Sequence, residues 1–258
     1  ASILTDERVI IHKCPRISDV LNMIQILNEL GCKTHFDQDT LVIDSADAAS
    51  HEIPSALAKE LRSSVFMLGS VISRFGRARI AYPGGCDIGL RPIDLHLKGL
   101  KSLNVKISEE GGYINCSCDR LTGADVLLDC PSVGATENII LASVKAKGFT
   151  VIRNAAKEPE IADLQNFLNK MGAKIAGGGT STVVIRGVEK LGGVEYTPMP
   201  DMPFPELRRR VSEDEYSLVL EHLDESGIEN GYVQELSAAG EEFIPGFDLR
   251  SDSDNDGN

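Results

Sequence analysis

One cysteine stands apart from the other five. Cys86 lies in YPGGCDIGLRPIDLHLKGL, residues 82–100, with a proline and two glycines just ahead of it and Arg91 five residues downstream. Glycine reaches backbone conformations closed to other residues, so such a loop can bring main-chain groups close to a ligand. A guanidinium beside a thiol favours the thiolate and lowers its pKa, as a reactive cysteine requires. Two readings fit Cys86: a reactive thiol, or a passive small residue in a glycine-rich turn. Two other places could meet an anion. PSVGAT, residues 131–136, puts Ser132 at a helix N-cap with Gly134 behind it, leaving amides free to point at a negative group, although simple capping explains the pattern on its own. Arg62 falls in an apolar stretch, where an unpaired charge costs roughly several kcal/mol. It either pairs with a carboxylate or faces an anionic ligand.

The remaining candidates are weaker. His12, His35, His51 and His222 have no acidic or cysteine partner at a useful spacing, which leaves satisfied core or surface roles. His96 differs only by sitting in RPIDLH. Glu158 and Glu160 flank Pro159 as an acidic helix start, favourable to the helix dipole. Cys14, Cys32, Cys116, Cys118 and Cys130 form no CxxC pair and no zinc-type spacing with histidine, so they are expected to be mostly buried, small apolar residues. No metal and no cofactor is expected.

Three similar segments must position these residues. VIIHKCPRISDVLNMIQILNELGCK (9–33), RIAYPGGCDIGLRPIDLHLKGLKSLNVK (79–106) and TVIRNAAKEPEIADLQNFLNKMGAK (150–174) each read as strand, polar turn and amphipathic helix ending in a lysine, followed by a strand pair. Lys33, Lys106 and Lys174 are 73 and 68 residues apart, a period too long for a solenoid but suited to a repeated supersecondary module. Val20, Ile24, Leu27 and Leu30, and again Ile161, Leu164, Phe167 and Leu168, make helical stripes that should cover a sheet and leave the opposite face to water. Residues 54–76 and 131–148 are apolar almost all round, as helices in the middle of a domain are. The expected class is α/β, with outer sheets around inner helices. The opening ASILTDE reads as the last turn of a further inner helix, and no such helix is expected after the third module, because Pro203 and Pro205 break the pattern.

Composition sets limits. The 258 residues could hold one large domain or a domain with an appendage, and the apolar fraction of 42% is ordinary. Residues 202–258 carry fifteen Asp or Glu against four Arg, so −11 of the net −13 belongs to the tail. With no basic cluster, nucleic acid is not the expected partner. No apolar run approaches the ~18 residues of a membrane span, and the first residues lack a charged leader, so a soluble, cytoplasmic protein is expected.

PGGCDIGLRPIDLHLKGL, PSVGATENI and NAAKEPEI, in that order, resemble the enolpyruvyl transferases that act on UDP-N-acetylglucosamine, and the likeness runs over residues 3–201. Sister enzymes acting on shikimate 3-phosphate share the fold but lack the PGGC loop. The resemblance implies a domain of repeated sheet-and-helix modules, an inside-out α/β barrel, in residues 1–201. It implies transfer of the enolpyruvyl group of phosphoenolpyruvate to the sugar 3-hydroxyl with release of phosphate, an early step of peptidoglycan synthesis. It makes Cys86 the loop cysteine of proton delivery or adduct formation, alkylated by fosfomycin. Arg91 would bind a phosphate-bearing ligand, with Arg91, Pro92, Ile93, Asp94 and Leu95 along the UDP-sugar. Ser132, Val133 and Gly134 would hold the uridine nucleotide, and Arg62 would be the inner-helix arginine of the active site. The family's substrate-contacting Lys-Asn pair would precede Ala1, and a second domain with the aspartate base would lie outside the chain. A non-catalytic UDP-sugar-binding module, or an inactive chimera, is the alternative.

The tail, 202–258, predicts one helix with Ser212 at its N-cap, Glu215 three residues on, Tyr216, Val219, Leu220 and Leu223 on one face, and Gly227 at its end. It weakly resembles the C-terminal end of radical S-adenosylmethionine activating-enzyme-like proteins, without their CxxxCxxC motif. SDSDNDGN reads as a low-complexity, disordered end.

Overall fold

The computed structural model describes residues 1–82 and 93–200, with the side chain of Arg62 outside that description. Ala1–Met199 is one compact unit. The predicted tail helix lies outside the described residues.

The first repeat runs β1 (Val9–Ile11), α1 (Ser18–Glu29), β2 (Lys33–Asp37) and β3 (Thr40–Asp44). The chain then passes through β4 (Glu52–Ile53), α2 (Ser55–Glu60), a 3₁₀ turn (Arg62–Phe66) and α3 (Met67–Phe75). The second repeat is β5 (Arg77–Ala81), α4 (Asp94–Ser102), β6 (Lys106–Glu110) and β7 (Tyr113–Ser117), leading into β8 (Asp125–Leu127) and α5 (Val133–Ser143). The third is β9 (Phe149–Arg153), α6 (Pro159–Lys170), β10 (Lys174–Ala176) and β11 (Thr182–Arg186), closed by β12 (Val194–Tyr196). The three marker lysines each open the first strand of a hairpin, β2, β6 and β10, so the sequence period and the structural period coincide.

The strands make three separate four-stranded sheets of identical order: β12-β1-β3-β2, β4-β5-β7-β6 and β8-β9-β11-β10. In each, the repeat's own three strands pair antiparallel, and the fourth strand, contributed from elsewhere in the chain, runs parallel to the first. Antiparallel neighbours need only a tight turn, whereas a parallel neighbour needs a crossover, and α2–α3 and α5 are those crossovers. β12 brings the end of the third repeat back beside β1, with Val9 opposite Val194 and Ile11 opposite Tyr196. The return is fastened where Thr5 Oγ1 donates to Leu191 O at 2.8 Å and Gly193 N–H donates to Glu7 Oε2 at 2.9 Å. This closing strand has no counterpart in the sequence reading.

The predicted layering is present. Met67–Ile72 of α3 and nearly all of α5 from Ala135 to Ser143 are buried. The amphipathic helices pack their predicted stripes inward: along α1 Leu27 and Leu30 are buried and Val20 and Ile24 partly so, with Ile26 buried beside them though outside the predicted stripe, and on α6 Ile161, Phe167 and Leu168 are buried and Leu164 partly so. Ahead of β1, the described residues hold a 3₁₀ turn, Ser2–Leu4, with Ile3 and Leu4 buried and the turn packed on α3. One expectation needs correcting. Residues 54–76 are not one helix: Leu61 is extended, and a 3₁₀ turn separates α2 from α3. A side chain from α5, described next, accounts for the boundary between that turn and α3. Among the described residues, no helix is long and apolar enough to cross a membrane.

Candidate functional site

The start of α5 is built as its sequence predicts. Ser132 is extended at the N-cap, and its hydroxyl accepts the N–H of Ala135 at 3.3 Å. Val133 and Gly134 occupy the first helical positions, where main-chain amides have no intrahelical acceptor and can face an anion. Gly134 is required by packing. A Cβ there would lie 2.4 Å from Phe66 Cε1 and 3.1 Å from His96 Cε1.

That contact joins three segments. Phe66 ends the turn that Arg62 begins, and its ring stacks on His96 with centroids 5.9 Å apart and planes at 16°. His96 lies in the first turn of α4, directly after Ile93, Asp94 and Leu95. Asp94 is exposed at the head of α4, where its carboxylate suits the helix dipole, while Ile93 and Leu95 are partly buried. The structure thus brings together the Arg62 turn, the helix that follows the glycine-rich loop, and the Ser132 helix start. Cys86, Arg91 and Pro92 lie outside the described residues, as does the Arg62 side chain, so their contacts stay with the sequence reading.

Beneath this junction Asn138 holds the pieces in place. Its Nδ2 donates to Val65 O and to His96 Nδ1, both at 3.1 Å, and its Oδ1 accepts the N–H of Gly69 at 2.6 Å. An α-helical bond would run from Gly69 N–H to Val65 O, and the carboxamide stands in its place. Inserting a side chain into the ladder interrupts a helix, which accounts for the boundary between the 3₁₀ turn that carries Arg62 and α3. Because His96 Nδ1 accepts, the imidazole is neutral with its proton on Nε2. Burial pulls its pKa down to about 4. Sequence reasoning missed Asn138 altogether. Its signal was a lone amide on the helix face of Gly134, four residues on, in an otherwise apolar segment.

The NAAKEPE segment docks on the same helix. Thr136 Oγ1, fully buried, accepts the N–H of Ala156 at 3.1 Å, and Asn154 Nδ2 donates to Leu128 O at 3.1 Å. Glu158 stands at the N-cap of α6 with Pro159 at its first position, as predicted. Burial, with Glu160 beside it, pushes the Glu137 carboxyl up to about 7. Glu137 is a second site neighbour that the sequence reading passed over.

The other thiols are mostly inert. Cys14, Cys32 and Cys116 are buried, and burial raises all three pKa values, Cys116 to about 12. Cys118 is half-buried and Cys130, just ahead of Ser132, is exposed. His12 has partners far away in sequence, Glu195 at 2.7 Å and Thr40 at 3.2 Å, tying β12 and β3 to β1. Among the described residues, no three His, Cys, Asp or Glu side chains gather as a metal site.

Known proteins with related sequences carry the same pattern. Residues 1–203 match the family model of EPSP synthase (3-phosphoshikimate 1-carboxyvinyltransferase). The chain is 57% identical over 201 residues to UDP-N-acetylglucosamine 1-carboxyvinyltransferase 2 of Caldanaerobacter subterraneus subsp. tengcongensis, covering 78% of this chain and 48% of that protein. It is 49% identical over 207 residues to UDP-N-acetylglucosamine 1-carboxyvinyltransferase 1 of Symbiobacterium thermophilum, with 78% and 47% covered. The chain therefore spans about half the length of the curated relatives it matches. Among solved structures, the enolpyruvyl transferase NikO from Streptomyces tendae has the same fold, with a TM-score of 0.68 at 24% identity over 78% of this chain and 48% of its own. EPSP synthase from Acinetobacter baumannii follows at 0.60 and 18%, over 76% and 45%. The shared fold, the family match and the relatives agree: the chain belongs to the EPSP synthase (3-phosphoshikimate 1-carboxyvinyltransferase) family, and its curated relatives are UDP-N-acetylglucosamine 1-carboxyvinyltransferases.

Proposed function

We propose that this chain carries one half of the machinery that transfers the enolpyruvyl group of phosphoenolpyruvate to the 3-hydroxyl of UDP-N-acetylglucosamine, the first committed step of peptidoglycan synthesis, in the cytoplasm. In this reading the sugar oxygen becomes bonded to the enolpyruvyl carbon and phosphate leaves. Cys86 serves proton delivery or adduct formation and is the fosfomycin target. Arg62 and Arg91 hold phosphate-bearing groups, Pro92, Ile93, Asp94 and Leu95 line the UDP-sugar, and Ser132, Val133 and Gly134 take the nucleotide at the helix start. Residues 1–201 form the catalytic-loop domain, and 202–258 are a separate acidic tail.

The observation that carries the reading is the meeting of Phe66, His96 and Gly134. It sets the turn of one proposed anion-binding arginine, the helix after the cysteine loop and a helix N-terminus around one point. Two phosphorylated substrates demand such a gathering of donors. The 57% identity to a carboxyvinyltransferase supports the same chemistry.

The test is phosphate release from phosphoenolpyruvate, with the complementary half of a relative supplied. Release should require UDP-N-acetylglucosamine, and Cys86→Ala should reduce it or make it insensitive to fosfomycin. No turnover with both halves present would contradict the proposal. A second reading, a UDP-sugar-binding module without catalysis, draws on the half-length match to the relatives. It predicts ligand binding and no turnover, because reactions of this kind need groups from both sides of a closed cleft.

A further inference from the structure

The inner helices α3 and α5 meet at their starts through Phe66 and Gly134, and beside their far ends lies a half-open cavity of about 240 Å³. Thr5, Asp6, Arg74, Lys145, Lys190 and Leu191 line it. Three of those side chains are cationic and one is a carboxylate. An eleven-residue helix rises about 16 Å, so this cavity is that far from the nucleotide end of α5.

The three cations are not equivalent. Arg74 is almost fully engaged: its guanidinium donates to Ile3 O, Thr5 O and Ser45 O at 2.8–3.0 Å and to Asp6 Oδ1 at 2.7 Å, with the side chain 10% exposed. Lys190 reaches Glu7 at 3.4 Å from the rim. Lys145 is half-buried, and among the described residues it has neither a hydrogen-bond acceptor nor an ion-pair partner. Cations at helix C-termini are favoured by the carbonyl dipole. A lysine placed only for that purpose would set its ammonium on one of the free carbonyls, and Lys145 is on none. Its neighbours are instead the buried Arg74 and the single Asp6 carboxylate, which Arg74 already holds.

We propose that this cavity is a second anion site, taking a small tetrahedral oxyanion of the phosphate type between Lys145 and Lys190, with Arg74 as a fixed positive wall. The bound anion supplies the partner that Lys145 lacks. Among the described residues Arg74 has Asp6 and Lys190 has Glu7, which leaves Lys145 as the cation of the three without a carboxylate of its own; burial and the nearby Arg74 lower its pKa against the opposing pull of Asp6. None of the residues lining this cavity belongs to the proposed transferase site.

The experiment is thermal melting in inorganic phosphate against chloride at matched ionic strength. It is performed on the full chain carrying Arg91→Ala, to weaken phosphate binding at the proposed substrate site. The melting temperature should rise with phosphate, because a ligand that binds only the folded state stabilises it. Adding Lys145→Met should abolish the rise. Methionine keeps the aliphatic stem and removes the charge, so in phosphate-free buffer this variant should melt at or above its parent, whereas a merely capping lysine would leave it melting lower. A phosphate-dependent rise that survives Lys145→Met, or no rise in the Arg91→Ala parent, would overturn the proposal, as would a lower melting temperature of Lys145→Met without phosphate.

Discussion

The carboxamide of Asn138 occupies the place of a backbone hydrogen bond between Val65 and Gly69, taking the N–H of Gly69 at 2.6 Å and giving its own N–H to Val65 O at 3.1 Å. The second Nδ2 hydrogen goes to His96. One amide on α5 thus fixes the turn that begins with Arg62 and the helix that follows the cysteine loop. Asn138→Leu is close in size and leaves three buried polar groups without partners. An unsatisfied buried donor or acceptor costs about 1–3 kcal/mol, so the variant should lose on the order of 3 kcal/mol in denaturant unfolding. A loss below about 0.5 kcal/mol, the ordinary range for a neutral surface change, would contradict the assigned role.

Gly134 and Gly111 separate packing from backbone effects. A Cβ at Gly134 meets the Phe66 ring at 2.4 Å, whereas one at Gly111 meets nothing within 4 Å but sits at φ +59°. Gly134→Ala should lower stability by about 1–3 kcal/mol through overpacking and weaken nucleotide-sugar binding as the ring moves. Gly111→Ala should cost about 1–2 kcal/mol, the left-handed backbone penalty, and leave binding as it was. Paired unfolding and binding measurements on the two variants check this, and equal effects on binding would count against Gly134 as part of the site.

The buried imidazole makes stability depend on pH in a defined window. The folded pKa of His96 is about 4, below the ordinary value of 6.5. The unfolded chain therefore takes up a proton first as pH falls. The stability due to neutral His96 is complete above about pH 6.5 and is lost progressively toward about pH 4. The difference corresponds to about 3 kcal/mol at one pKa unit per 1.36 kcal/mol. Glu137 acts in the opposite sense, because its folded pKa of about 7 lies above the ordinary 4.5 and its contribution is lost as pH rises. His96→Leu should therefore tilt the profile toward higher stability at pH 5 relative to pH 7, even though it lowers stability overall by leaving an Asn138 N–H unpaired. An unchanged slope in that variant would mean that other groups set it.

Thiol labelling distinguishes the cysteines. Cys130 is exposed, while burial raises the pKa of Cys116 to about 12. If Cys86 is the reactive thiol of the proposed function, iodoacetamide should label it fastest in the native chain, then Cys130, and should not label Cys14, Cys32 or Cys116 until the protein unfolds. Peptide mapping reads the order. Rapid native labelling of Cys116 would contradict the packing described for β7.

The repeat was legible because periodicity records burial directly. The stripes at Leu27 and Leu30 and at Ile161, Phe167 and Leu168 pack where their spacing puts them, and Lys33, Lys106 and Lys174 mark the same register in three sheets. Ser132 was legible as a cap because capping is local chemistry. Long-range relationships left no such trace. The pairing of β12 with β1 joins residues 185 apart, as with Val9 and Val194, and a three-residue strand has too little alternation to announce itself. The boundary between the 3₁₀ turn and α3 was equally hidden, since the side chain that interrupts the ladder, Asn138, lies 69 residues beyond Gly69. Residues 54–76 have the composition of one helix, and nothing in that composition marks where a tertiary contact interrupts it.

The claim that this domain holds a nucleotide sugar at the start of α5 is tested most directly by thermal melting of the purified chain with and without UDP-N-acetylglucosamine. A cooperative transition whose midpoint rises with ligand concentration is predicted, because binding to the folded state alone stabilises it. A cooperative transition that does not move at any ligand concentration would contradict the claim.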